Sequence, residues 1–278
     1  MIKIFLHNDL HHKNKNALFK YKNIEIVQDA RRLGECNIIY SPSDTFTSST
    51  DKPIVYGPHF SVFPDHKINI IKNQNCVYVQ PSEWALNVWK NNFDICQNLN
   101  MHILPFGVDT DKFSPNQNLV QKNKCFLYYK RRNPTELAFL TNILINNHIE
   151  YKIFKYGEYN ENDYVEYLKT CEFGFWLDAH ESQGFALEEA LSMNVPLLVW
   201  NVKFMSQEYG SNYQNFETTT IPYWSEQCGE YIYEQCEFAH KYKLFMSKLK
   251  TYEPRQYILN NLSMEICEQK LIKLINNF

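Results

Sequence analysis

Short apolar runs recur along this chain, separated by more polar stretches with helical spacing. In the first half, such runs predict strands over residues 2–6, 24–27, 37–40, 54–56, 76–80 and 102–105. In the second half, they predict strands over residues 125–129, 151–154, 173–177, 197–200 and 231–233. Most of these runs have few polar positions, which is typical of parallel strands covered on both faces.

Apolar residues three and four apart predict helices between the strands. These cover residues 83–92, 135–147, 162–170, 185–193 and 235–250, and two more over 256–260 and 264–276 end the chain. Strands that alternate with helices favour doubly wound parallel sheets. Because the series starts twice, the predicted fold class is α/β, with two Rossmann-like domains facing a cleft.

The polar run at residues 114–118 is the best linker candidate. We therefore expect one domain over residues 1–113, a second over 114–260, and a terminal helical segment over 261–278. In the terminal segment, an amphipathic pattern includes Leu271 and Ile275, which are expected to be buried.

One strand–loop–helix–strand segment, residues 173–200, carries the clearest functional pattern. Its polar loop includes Glu181, and Gly184, Phe185 and Ala186 open the helix that follows. Free N–H groups at a helix start favour a bound phosphate. With Glu189 one turn inside the helix, two carboxylates flank this anion site. That suits a ligand with a diphosphate between hydroxyl-rich sugars.

The string Glu181-x7-Glu189, with Gly184 inside it and Pro196 beyond it, resembles the donor-site signature of retaining GT-B glycosyltransferases. That signature, of the family-4 or "glycosyl transferases group 1" type, runs roughly E-G-F-G-x-x-x-x-E-A-[LM]-A-x-G-x-P. The chain departs from it at Ser182, Gln183 and Asn194.

Two further passages, residues 79–84 and 104–113, resemble the family's Pro-Ser turn and its P-N-G-V-D-T-x-x-F string. The resemblance covers most of residues 54–200, and the chain is short for the family. Residues 2–53 have no clear match, and that region usually shapes the acceptor site.

The resemblance implies the GT-B architecture and transfer of a sugar from a nucleotide diphosphate-sugar to a glycan, lipid or protein acceptor. It implies retention of configuration, no metal or other cofactor, and no enzymatic nucleophile. The first domain would bind the acceptor and the second the donor, with the last helix crossing back to the first domain. Glu181 would hold sugar hydroxyls and Glu189 the ribose diol, although helix geometry alone does not separate Glu189 from Glu188.

Lys130 and Arg132 directly follow a predicted strand, and side chains two apart on a strand point the same way. We therefore expect both cations at the ligand crevice, where the family carries a basic pair on the diphosphate. The family's usual Gly-Arg-x4-Lys spacing is absent here, and a plain basic turn is the alternative interpretation.

Several weaker candidates line other strand ends. His59 occupies a place where the family has a histidine near the reacting sugar, and Tyr156 with Gly157 occupies the place of the nucleotide base. His7, Asp9 and His11 follow the first strand and are candidates for the acceptor side. A metal site at His7, His11 and His12 is a further alternative, although no cysteine or acidic partner shares the local spacing.

The overall charge excludes a nucleic-acid partner, because a formal net charge of −3 gives no basic field. The eight cysteines form no C-x-x-C pair, which is typical of reduced thiols in a cytoplasmic protein. No run approaches the length of a transmembrane segment, although peripheral membrane contact stays open. The sequence does not indicate an oligomeric state.

Other functions fit the same two-domain pattern. A nucleotide-sugar epimerase or a phosphorylase would use the same fold for different chemistry. A non-catalytic nucleotide-sugar binding protein is the other alternative, because Ser182 and Gln183 alter the signature.

Overall fold

The computed structural model describes residues 1–58, 63–64, 75–115 and 122–278. They form two compact units: Met1–Gly107 with Asn261–Phe278, and Val108–Asn260. Each unit contains one sheet in which all the pairings are parallel, six-stranded in the first unit and five-stranded in the second. This confirms the predicted fold class of two Rossmann-like α/β domains.

The first unit's sheet has the strand order β2-β1-β3-β4-β5-β6. The strands are β1 Ile2–Leu6, β2 Ile24–Val27, β3 Ile38–Ser41, β4 Ile54–Tyr56, β5 Cys76–Gln80 and β6 Met101–Ile103. The inner strands β3 and β4 are buried at every position, so both of their faces lie in the core. This explains why their sequences are continuous apolar runs instead of alternating ones.

Two helices described within Met1–Gly107 pack by their apolar stripes. They are α1 His12–Lys20 and α2 Glu83–Asn92. In α2 the buried residues Trp84, Ala85, Val88 and Trp89 recur one turn apart, and Trp89 joins a core cluster with Tyr56 and Tyr78.

The second unit's sheet has the strand order β11-β10-β9-β7-β8. The strands are β7 Lys124–Lys130, β8 Tyr151–Lys155, β9 Cys171–Asp178, β10 Leu197–Trp200 and β11 Gly229–Ile232. The helices are α3 Pro134–Asn146, α4 Glu161–Leu168, α5 Phe185–Ser192, α6 Phe238–Lys248 and α7 Pro254–Asn261. The central strand β9 is buried along almost its whole length.

The last helix, α8 Met264–Ile275, belongs to the first unit. It contacts α1, and Glu268 accepts a hydrogen bond from the backbone N–H of Asn23. A Cβ added to Gly107 would lie 2.7 Å from Cα of Met264, so the start of α8 requires a glycine there. Leu271 and Ile275 are both buried, as their spacing predicts.

The differences from the predicted elements lie at their ends. The helix predicted over 235–250 begins as a 3-10 turn, Gln235–Glu237, and becomes α-helical at Phe238. The side chain of Glu237 accepts hydrogen bonds from the N–H groups of Tyr233 and Glu234, which fixes this start. Part of the predicted linker, residues 116–118, lies outside the described residues.

The cysteines are free thiols; Cys236 is exposed, Cys76 is half-buried and the other cysteines are buried. Across residues 1–58, 63–64, 75–115 and 122–278, no helix combines the length and apolarity needed to cross a membrane.

We predict that Leu271→Ala destabilises the first unit by about 2–5 kcal/mol, because it leaves a cavity under α8. Amide hydrogen exchange should accelerate in β1 and α1 while β7 and β9 stay protected. Lys273→Ala, an exposed position on the same helix, is the matched control. Unchanged exchange in the first unit for Leu271→Ala would contradict the role given to α8.

Candidate functional site

The strand order of the second unit makes one edge of the sheet the candidate ligand site. β8 lies on one side of β7 and β9 on the other, so the direction of winding reverses between β7 and β9. In such sheets ligands bind outside the carboxyl ends of the strands at this reversal. The two strands end on a register pair, Lys130 and Asp178, which places a cation and a carboxyl group side by side.

The ammonium group of Lys130 lies among acidic and aromatic groups. Its Nζ donates a hydrogen bond to Glu181, lies 3.9 Å from Oδ1 of Asp178, and lies 4.5 Å from the ring centroid of Tyr156. The side chain is only 11% exposed. Burial opposes the charged form, yet Asp178 and Glu181 outweigh burial and raise the pKa of Lys130. The lysine is therefore a fixed positive charge.

The pKa values of the two carboxyl groups beside Lys130 are shifted in opposite directions. Burial and the charge of Glu181 raise the pKa of Asp178 well above its usual range. Burial acts to raise the pKa of Glu181, but the charge of Lys130 acts to lower it. The effect of Lys130 is part of a larger total, and the pKa of Glu181 is lowered. Glu181 is thus the ionised partner of Lys130. Asp178 was missed by the sequence analysis, although it ends the apolar run of β9.

The turn into α5 requires the glycine that the sequence provides. Gly184 caps the helix with φ 92°, a left-handed conformation that side chains rarely adopt. Phe185 and Ala186 then begin the helix, and the carbonyl group of Ala186 accepts a hydrogen bond from the hydroxyl group of Tyr164 at 2.9 Å. The first N–H groups of α5 therefore follow directly on the loop that carries Glu181.

Asn194 explains one departure from the family string. It has φ 57° and follows the end of α5 at Met193. Glycine and asparagine are the residues that most readily adopt this conformation after a helix. A glycine at position 194 would adopt this conformation as readily as Asn194 does.

The structure distinguishes Glu188 from Glu189. Both side chains are buried, but Oε2 of Glu188 accepts a hydrogen bond from Nε2 of Gln183 at 3.0 Å. Gln183, a departure from the family string, is thus an internal partner of the helix. Glu189 lies near Tyr159. Burial and the negative charge of Glu189 together raise the pKa of the Tyr159 phenol to about 12.

The structure corrects the prediction for Arg132. Its guanidinium is buried, and it donates to the carbonyl groups of Asp178 and Trp200 at 3.0 and 2.7 Å and to both carboxylate oxygens of Glu136. The alternation of a strand stops at Arg131, which has φ 49°, so Lys130 and Arg132 do not share a face. Arg132 joins the ends of β9 and β10 to the start of α3, which is a structural role.

The long connection after β10 holds the loop of Glu181 in place. Its Thr219 carbonyl group accepts a hydrogen bond from the N–H of Glu181 at 3.2 Å. The hydroxyl group of Thr220 donates to the carbonyl groups of Asp178 and Ala179. The buried side chain of Asn201 anchors this connection, because its Oδ1 accepts hydrogen bonds from Thr219 and Thr220.

His180 is another ionisable residue beside the site. The sequence did not single it out as a candidate. Its Nδ1 lies 3.5 Å from Oε2 of Glu208, and its ring packs edge-on against Tyr213. Glu208 also accepts a hydrogen bond from Arg131 at 3.0 Å. Burial lowers the pKa of His180 despite the nearby Glu208, so the imidazole is neutral at neutral pH.

Tyr156 and Gly157 form the turn after β8. Tyr156 is exposed and lies against Lys130, and Gly157 has φ 77°. The structure thus brings Lys130, Glu181 and Tyr156 together.

The acceptor-side candidates lie in the first unit, after β1. Nδ1 of His7 lies 2.9 Å from Oγ of Ser41, which ends β3, so His7 occupies the winding reversal of its own sheet. Asp9 is exposed and paired with Lys15, and His11 caps α1 with its ring 4.3 Å from that of His12. His59 lies outside the described residues. Among the residues that are described, no three His, Cys, Asp or Glu side chains cluster as metal ligands.

We predict that Arg132→Ala lowers the free energy of unfolding by about 3 kcal/mol, because Glu136 and two buried carbonyl groups lose their hydrogen-bond donor. Lys155→Ala, at the end of neighbouring β8, is the control, since its ion pair with Glu158 is exposed. It should change stability by less than about 1 kcal/mol. Urea denaturation followed by tryptophan fluorescence measures both, and equal stabilities would contradict the structural role of Arg132.

Several solved structures share this fold. AviGT4, a glycosyltransferase involved in avilamycin A biosynthesis, matches with a TM-score of 0.59 at 9% identity over 99% of this chain and 97% of that chain. WaaG, a glycosyltransferase involved in lipopolysaccharide biosynthesis, matches with a TM-score of 0.52 at 10% identity over 99% of each chain. Sucrose-phosphate synthase from Thermosynechococcus elongatus matches with a TM-score of 0.54 at 10% identity over 87% of this chain and 74% of that one.

No protein-family model matches the sequence, and no curated protein matches it. At identities this low, the likeness to solved structures shows the fold alone. That fold is the GT-B fold of glycosyltransferases.

Proposed function

We propose that this protein is a retaining glycosyltransferase that moves a sugar from a nucleotide diphosphate-sugar to an acceptor hydroxyl group without a metal ion. The observation that carries the proposal is the position of the Lys130–Glu181 pair. It lies at the winding reversal of the second sheet, directly before the first turn of α5. A cation, a carboxylate and helix N–H groups together match the parts of a nucleotide-sugar.

The diphosphate of the donor binds at the start of α5. Backbone N–H groups of Phe185 and Ala186 and the macrodipole of the helix favour an anion there. Lys130, the cation of the pair with Glu181, lies beside this anion site in the place of a metal ion. Because Lys130 is held by Glu181 and Asp178, it needs little reorganisation when the diphosphate binds.

The two ends of the donor bind to the two carboxylates. Glu181 accepts hydrogen bonds from hydroxyl groups of the transferred sugar, and Glu189 accepts them from the ribose diol. Tyr156, exposed beside Lys130, offers its ring to the nucleobase. Glu188 takes no part in binding, because Gln183 already donates a hydrogen bond to its carboxylate.

In the reaction, the bond between the anomeric carbon and the diphosphate oxygen breaks as the acceptor oxygen attacks from the same face of the sugar. The acceptor proton passes to the departing diphosphate. Negative charge grows on the diphosphate in the transition state, and Lys130 with the α5 N–H groups stabilises it. No protein side chain forms a covalent intermediate.

The first unit binds the acceptor, which is a glycan, a lipid headgroup or a protein. His7 is the leading residue for this role, because it lies where β1 and β3 diverge and ligands bind at such positions. Burial lowers the pKa of His7, so its imidazole is neutral near pH 7 and suits a polar, uncharged hydroxyl group.

The proposal is tested by incubating the protein with a panel of nucleotide-sugars and measuring release of the nucleoside diphosphate, with EDTA in excess. We expect at least one donor to be turned over, and Lys130→Ala to lower turnover about 10²–10³-fold. Lys243→Ala, exposed on α6, is the control and should match the wild type. Activity that disappears in EDTA and returns with manganese would overturn the metal-free mechanism.

The products of the same assay separate related functions. Sugar 1-phosphate formed only with added phosphate indicates a phosphorylase, and an isomerised nucleotide-sugar indicates an epimerase. Tight donor binding without any slow hydrolysis indicates a binding protein.

We predict that Glu189→Gln weakens binding of the active donor about ten- to a hundredfold, because a charge-assisted hydrogen bond to the ribose becomes a neutral one. Glu188→Gln, the neighbouring isosteric change, should leave Kd within about threefold. Isothermal titration with the nucleoside diphosphate measures both. A larger loss of affinity in Glu188→Gln shows that the ribose site has been assigned to the wrong residue.

A further inference from the structure

Asp178 is a carboxyl group in a place that disfavours a negative charge. It ends the central strand β9 and is fully buried. Its Oδ1 accepts a hydrogen bond from the N–H of Ala179 at 2.7 Å. Its Oδ2, although shielded from solvent, has no donor directed at it from any residue that the structure describes. An ionised carboxylate in this position would leave one oxygen unsatisfied.

Glu181 already carries one negative charge beside Lys130. Within the described part of the chain, no further cation next to Asp178 would compensate a second negative charge on Asp178 itself. Lys130 is 3.9 Å away, but it already has Glu181 as its ionised partner. The guanidinium of Arg132 reaches only the backbone carbonyl group of Asp178 and is neutralised by Glu136.

The remaining neighbours add no positive charge. Burial keeps His180 neutral, and Glu208 beside it is paired with Arg131. The phenol of Tyr128 is near enough to sense the charge of Asp178 and is itself kept neutral by burial, which raises its pKa. With Lys130 as the cation, two ionised carboxylates would give the cluster a net negative charge in a poorly solvated place.

We propose that Asp178 holds a proton and donates it in a hydrogen bond to Glu181, so that Lys130, Asp178 and Glu181 form an electrically neutral cluster. The side chains of Asp178 and Glu181 lie within hydrogen-bonding reach of each other, and neither carboxylate could donate without this proton. The same proton satisfies Oδ2 of Asp178. Burial and the charge of Glu181 both act to raise the pKa of Asp178, as this requires.

The consequence for donor binding rests on the proposed function. A neutral cluster leaves the positive end of α5 unopposed, whereas an ionised Asp178 would add a negative charge where the diphosphate must bind. The hydrogen bond also fixes the carboxylate of Glu181 towards Lys130. Asp178 is therefore a positioning residue, which acts through Lys130 and Glu181 and does not touch the substrate.

Infrared difference spectroscopy on the ligand-free protein tests the proton directly. At neutral pH the wild type should show the carbonyl stretch of a protonated carboxylic acid, shifted in D2O, and Asp178→Asn should lack it. Glu181→Gln should also lose this band, because Asp178 then ionises as the partner of Lys130. Asp163→Asn, an exposed position on α4, is the control and should keep the band.

The pH dependence of stability supplies a second readout. A raised pKa in the folded state means that the folded protein holds a proton that the unfolded chain releases above about pH 4. From there up to the folded-state pKa, the unfolding equilibrium constant of the wild type should rise about tenfold per pH unit relative to that of Asp178→Asn. Denaturation curves at stepped pH measure this slope, and Asp163→Asn should follow the wild type.

Absence of the carbonyl band in the wild type, or parallel stability curves for the wild type and Asp178→Asn, would overturn the proposal. If Asp178→Asn does not fold, the comparison of the wild type with Glu181→Gln decides by the same band. Neither measurement uses a ligand. A failed donor assay would therefore leave the placement of the proton standing, and a missing band would leave the proposed transfer reaction standing.

Discussion

The parallel register of β7 against β9 determines the site of the second unit. It sets Lys130 opposite Asp178 at the edge where the sheet changes its direction of winding. A shift by one residue would turn one of these side chains to the other face of the sheet. The pairing shifts register once, between Lys124 and Cys125 at its start. From Cys125 to Lys130 the register is regular and β9 is buried, so hydrophobic packing fixes the geometry of the charges.

Lys130, Arg131 and Arg132 are adjacent and carry the same charge, but they differ in burial and in their partners. Lys130 ends a strand and faces the acidic pair, whereas Arg132 turns inward and satisfies carbonyl groups that would otherwise be orphaned. Arg131 lies between them in a left-handed backbone conformation, which ends the strand alternation. Its guanidinium donates a hydrogen bond to Glu208 on the long connection after β10. The site is therefore held by a shell of structural hydrogen bonds, in which each of the three basic residues has its own acidic partner: Glu181 for Lys130, Glu208 for Arg131 and Glu136 for Arg132.

The sequence predicts the strands well where burial dominates, because a run such as that of β9 has few alternatives to a central parallel strand. It also predicts the turn at Gly184 that opens α5, since the backbone requirement of that turn is local. It fails for Arg132, because the conformation of Arg131 breaks the strand alternation on which the prediction rested. It misses Asp178 and His180, whose properties depend on partners such as Glu208 and Thr220 that are distant in the sequence.

A crystal structure of the protein with the nucleoside diphosphate of its donor tests the central claim most directly. The account predicts diphosphate oxygens within hydrogen-bonding distance of Nζ of Lys130 and of the first N–H groups of α5, with the ribose diol at Glu189. A nucleotide ordered against the first unit's sheet, or bound in the second unit away from Lys130, would contradict it.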